Sequence, residues 1–102
     1  MKNKEFNFNL GRVLVDSHSY EDGIYWLDLA ESLGKKDTYL YYYLGKGYGG
    51  ARHFEKAEES FEKAIRLCND EGFKEEIKKA LEEEQELKSK PKKSIIDLLG
   101  GK

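Results

Sequence analysis

His18, His53 and Cys68 are the side chains of this 102-residue chain best suited to nucleophilic or transition-metal chemistry. A thiolate nucleophile needs an imidazole beside it to take the proton, and neither histidine is placed in sequence to argue for that pairing with Cys68. A zinc site needs three or four Cys, His or carboxylate donors. Asp16, His18 and Glu21 would meet a cation only if the turn between them wrapped around it, and no H-x3-H spacing or cysteine pair accompanies them. Serine and aspartate occur without a nucleophile elbow, and Gly47, Gly49 and Gly50 follow no strand that would make them a phosphate loop. These glycines read instead as places of close approach, or as a loosened last helical turn. The chain is therefore expected not to be an enzyme, with no catalytic residue, no bound metal and no cofactor. His18 and His53 read as polar residues at bends, and Cys68 as a small buried side chain.

The elements that would hold these residues repeat. Shifting the chain by 34 positions lays Phe6 on Leu40, Phe8 on Tyr42, Leu10 on Leu44, Gly11 on Gly45 and Arg12 on Lys46 without a gap. Farther on, Tyr20 falls on Phe54, Gly23 on Ala57, Leu27 on Phe61, Ala30 on Ala64 and Leu33 on Leu67. A constant period of this size marks stacked units, each needing a neighbour to cover its apolar face. Apolar residues three or four apart predict helices near 4–16, 20–33, 38–50 and 54–68. Gly11, Gly23, Gly45, Ala30, Ala57 and Ala64 lack bulk where paired helices cross, and Leu10, Leu27, Leu44 and Phe61 fill the space between. Ser19 and Asp37 are candidate helix caps, and Gly34 a helix stop.

The second copy, 38–71, resembles a tetratricopeptide repeat, with the pattern W-x2-L-G-x2-Y, then A-x3-F and a later small residue. Tyr41 stands in for the Trp; Leu44, Gly45, Tyr48, Ala57, Phe61 and Ala64 match, and Asn69 replaces the closing Pro. The first copy, 4–37, keeps Leu10, Gly11 and Ala30 but carries Asn7, Leu14 and Gly23 at the Trp, Tyr and Ala positions. The resemblance implies an all-α fold, an α-solenoid of two helix-turn-helix hairpins. Phe73, Ile77, Ala80, Leu81 and Leu87 continue at helical spacing on a Glu- and Lys-rich segment, which predicts a capping helix over 72–90 with a solvated outer face. The expected domain is 1–90.

The same resemblance implies function. In this family the first helices of successive repeats line a concave groove, and the matching positions here include Phe8, Asn9 and Arg12, then Tyr39, Tyr42, Tyr43 and Lys46, with Phe73 and Ile77 following on the cap. The terminal-carboxylate clamp of chaperone-binding members is missing, because Phe8, Arg12, Tyr43, Phe73 and Ile77 occupy its places. Tyr41 and Tyr48 point to the core with Leu44 by spacing, whereas Tyr39, Tyr42 and Tyr43 either face a bound peptide or pack on the cap. An adaptor or scaffold module for a protein or peptide partner is the expectation.

Past Pro91, residues 91–102 read as a flexible apolar tail in which Ile95, Ile96, Leu98 and Leu99 must dock to be ordered. The alternative function is self-assembly, with that tail filling the groove of its own chain or forming a homodimer through a second copy. The charges, 18 basic against 20 acidic, give no field that would draw nucleic acid or an anionic membrane. With a lone cysteine and no long apolar run, the chain is expected in the cytoplasm.

Overall fold

The computed structural model describes residues 3–89; the tail residues Ile95, Ile96, Leu98 and Leu99 lie outside them. Among the described residues there are five helices and no strand: α1 (Lys4–Asp16), α2 (Tyr20–Ser32), α3 (Thr38–Gly50), α4 (Phe54–Leu67) and α5 (Glu71–Ser89). The expected spans hold to within a residue.

The helix boundaries themselves recur at the 34-residue step. Asn3 caps α1 by accepting from the Phe6 amide at 3.0 Å, and Asp37 caps α3 by accepting from the Leu40 amide at 2.9 Å. Each side chain satisfies an amide that the first helical turn leaves without a partner. At the other end, α1 closes with His18 N–H donating to the Val15 carbonyl and Ser19 N–H to Leu14. For α3 the donors are Arg52 and His53, and the acceptors Gly49 and Tyr48. This double closure requires a left-handed residue after the cap, and His18 (φ 67°) and Arg52 (φ 66°) supply it without being glycine. Ser19 does not cap α2 through its side chain, contrary to expectation. Its backbone, at φ −90° and ψ 70°, serves this turn and lacks the extended geometry in which Asn3 and Asp37 reach forward.

Packing follows the small residues. A Cβ on Gly11 would stand 3.0 Å from the Gly23 carbonyl, and one on Gly45 would stand 2.6 Å from the Phe61 ring. Only hydrogen at these sites lets α1 meet α2, and α3 meet α4, at this distance. α2 then packs on α3 and α4 on α5, with lighter contact of α1 and α5 on α3. Leu27, Leu40, Leu44, Phe61 and Ile77 are buried between these layers, together with Cys68. This helix packing is consistent with a helical repeat.

A polar staple joins the hairpins. Lys35 Nζ donates to Asp37 Oδ2 at 2.9 Å and Glu5 Oε2 at 3.2 Å, and lies 4.5 Å from the Phe8 ring centroid. Burial alone would pull its pKa down, but the two carboxylates outweigh that and hold it above the ordinary lysine value.

Candidate functional site

Helix α3 presents its tyrosines in two directions because 3.6-residue spacing divides them. Tyr41 turns inward and donates from its hydroxyl to Glu31 Oε2 at 2.7 Å. Burial and that hydrogen bond push its pKa up to about 12. Tyr39, Tyr42 and Tyr43 turn to the other side, where a ladder of rings crosses from α1 to α5. Phe8 meets Tyr43 edge-on with centroids 6.0 Å apart, Tyr43 meets Tyr42 at 5.3 Å, and Tyr42 meets Phe73 at 5.2 Å. Tyr39 stacks on Phe73 at 5.1 Å. Of the two readings of these tyrosines, packing on the terminal helix holds for Tyr39 and Tyr42, while Tyr43 bridges α1 and α3. Tyr39 nevertheless keeps 56% of its surface exposed.

Beside this ladder lies a cleft of about 500 Å³, bounded by the end of α1, the length of α3 and the inner face of α5. Val15, Phe61, Ala80 and Leu87 give it apolar surface, and Tyr42, Lys46, Glu83 and Glu84 are its main polar groups. Lys46 Nζ sits 5.3 Å and 5.4 Å from the Tyr42 and Tyr43 ring centroids and 3.9 Å from Asp16 Oδ1. Burial raises the pKa of both Tyr42 and Tyr43, although Arg12 opposes this for Tyr43. The phenols therefore stay protonated at neutral pH and can donate hydrogen bonds.

Glu84 was not legible as a site residue. It occupies the α5 stripe at the spacing that Ile77, Ala80, Leu81 and Leu87 fill with apolar groups, and that break in the stripe is the signal it left. Its carboxylate rests against the α3 backbone at Gly49, in space a Cβ would take. Its Oε2 is buried without a hydrogen-bond partner. Burial, reinforced by Glu83 and Glu58 and opposed by Arg52, raises its pKa above the ordinary glutamate value.

The structure thus brings Phe8, Arg12, Tyr39, Tyr42, Tyr43, Lys46 and Phe73 to one side of the molecule, but only Tyr42 and Lys46 line the cleft. Asn9 is exposed on α1. Ile77 is a correction: it has no exposed surface and belongs to the core, because it sits at the centre of the α5 stripe where that helix meets α4. Phe8 is also nearly covered, by Tyr43 and the Lys35 ammonium.

The residues with potential for other chemistry stand apart. The His18 ring lies 5.6 Å from that of Tyr20 at the cleft rim, and His53 Nε2 lies 3.2 Å from Glu21 Oε2, tying the two hairpins together. Cys68 is a buried free thiol donating to the Asp70 carbonyl at 3.3 Å. Among the described residues no group of three His, Cys, Asp or Glu is placed to hold a metal ion, and no helix is long and apolar enough to cross a membrane. No protein-family model, curated protein or solved structure matches the chain.

Proposed function

We propose that this protein is a small α-solenoid of tetratricopeptide type that works as a non-enzymatic adaptor, holding a segment of a partner protein in the cleft between α1, α3 and α5. The observation that carries the reading is the cleft itself: apolar surface from Val15, Phe61, Ala80 and Leu87 with Tyr42 and Lys46 above it. Apolar contact supplies the driving force for a bound side chain, and fixed phenol, ammonium and carboxylate groups orient the peptide backbone beside it. The tyrosines lose little rotamer freedom on binding. A lone buried thiol suits a reducing compartment, so the cytoplasm is the proposed location.

A second reading has its own support. Leu87 brings the cleft to the C-terminal end of α5, where the chain runs on into Lys90, Lys92 and Lys93 and then Ile95, Ile96, Leu98 and Leu99. That order of charge and apolar groups complements a cleft bearing Asp16, Glu83 and Glu84. The tail then acts as the cleft's own occupant, which a partner displaces.

Selection of random peptides on the full chain tests the first reading. Peptides that bind the wild type should lose at least about tenfold in affinity against Lys46→Glu, which replaces the cleft's lysine with a further carboxylate beside Asp16, Glu83 and Glu84. Equal binding to both forms would remove the cleft from the account.

A further inference from the structure

The two ends of the stack differ. At the far end α5 lies over the second hairpin and turns Glu75, Lys78 and Lys79 outward. At the near end no helix among the described residues lies over α1, and the repeat shows what such a helix covers. Phe6, Leu10 and Val13 of α1 correspond, 34 residues on, to Leu40, Leu44 and Gly47 of α3. In α3 those positions are closed off by α2: Leu40 is 0% and Leu44 3% exposed, and Ile24 lies where a Gly47 Cβ would be, at 3.0 Å. In α1 the two outer positions are open, with Phe6 at 47% and Val13 at 50% exposed, and Leu10 between them is half-buried.

The neighbouring helix departs from the repeat in the complementary way. Tyr25 and Leu29 of α2 correspond to Glu59 and Lys63 of α4, both exposed. The hairpin therefore does not need apolar groups there, yet the first copy carries them, with Tyr25 at 60% exposed and its ring set edge-on against Trp26 at 5.3 Å. Among the described residues, one end thus holds both an α1 without an apolar helix over it and an α2 edge that is apolar with no element packed on it.

We propose that this end is a homodimer interface, in which two copies meet about a two-fold axis so that α2 of each lies on α1 of the other. A two-fold contact uses the same patch twice and must be self-complementary. This patch is: it presents the receptor and the cover side by side, and its central groups, Phe6, Leu10, Val13, Tyr25, Trp26 and Leu29, carry no charge to repel its own image. Head-to-tail stacking would instead set these residues against the charged outer face of α5. The pairing also extends two short hairpins into a continuous helical stack, which suits a repeat that gains stability from neighbours.

Light scattering on the eluting full chain, over a dilution series from millimolar to micromolar, tests the pairing. The wild type should move from twice its 11.8 kDa to 11.8 kDa on dilution. The double variant Tyr25→Glu/Leu29→Lys copies the residues of the second hairpin, and Val13→Glu acts on the other helix. Each should weaken self-association roughly thirtyfold or more while leaving the far-ultraviolet circular dichroism unchanged. A wild type of 11.8 kDa throughout would overturn the proposal. So would dimers that persist in both variants, which would place the contact elsewhere, the tail included. Amide exchange on the wild type needs no variant: α1 and α2 should gain protection with concentration and the C-terminal turns of α5 should not, and the reverse pattern refutes the interface.

Discussion

Replacing Gly11 with alanine asks whether the recurring small residues hold the hairpins together. The added Cβ would stand 2.7 Å from Leu27 Cγ and 3.0 Å from the Gly23 carbonyl oxygen. Ordinary contact begins near 3.4 Å, so the first neighbour must retreat by about 0.7 Å. Leu27 is 0% exposed and the second neighbour is backbone, so neither can swing aside and α1 must lift from α2. Overpacking of this kind costs about 1–3 kcal/mol. Alanine returns about 1 kcal/mol of helix propensity. With a backbone atom as one neighbour the cost falls in the upper part of that range, about 2–3 kcal/mol, so the net loss is about 1–2 kcal/mol, a fall in Tm of roughly 5–15 °C for a chain of this size. Gly72→Ala is the comparator, since its nearest neighbour is Asp70 Oδ1 at 3.6 Å and only the propensity gain remains. Thermal unfolding followed by circular dichroism measures both. Gly11→Ala melting at or above the wild type would refute the packing argument.

Two other perturbations follow from the same geometry. Asp37→Ala removes the α3 cap and one of the two carboxylates on Lys35, and should cost about 2 kcal/mol in urea unfolding at neutral pH. The wild-type Asp37 is held below its ordinary value, burial being outweighed by the Leu40 amide and Lys35. Its contribution is therefore complete above pH 3.8 and is lost as the pH falls through its lower, folded-state pKa, so wild type and Asp37→Ala should converge in strong acid. Glu84 has the opposite sign. Its folded-state pKa lies above the unfolded 4.5, so the wild type loses stability as the pH rises from 4.5 through the folded value. Glu84→Gln should melt higher at neutral pH and lose that advantage below 4.5; parallel Tm-against-pH curves would contradict the burial argument.

What the sequence disclosed depended on whether a property repeats. Helix spans, crossings and the Asp37 cap are all written twice, so a constant stride exposes them. Asn3 capping α1 is the first-copy counterpart of Asp37 and was readable by the same shift, whereas Ser19 shows that a capping residue type does not cap when its backbone is committed to the preceding turn. The candidate site was only partly legible because the cleft depends on α5, which has no repeat partner to set its register. Spacing alone could not tell that Ile77 faces inward while Glu84, on the same stripe, ends in the cleft. Lys35 escaped notice for a similar reason: its partners Glu5 and Asp37 come together only after the second hairpin docks on the first.

The central claim is that the cleft receives a polypeptide segment, and amide chemical-shift mapping of the full chain with a selected peptide tests it most directly. The account predicts shifts concentrated at Val15, Lys46, Gly49, Ala80, Glu83 and Leu87, and their loss in Lys46→Glu. Shifts centred instead on the opposite face, at Asp28, Lys56 and Glu59, would contradict it.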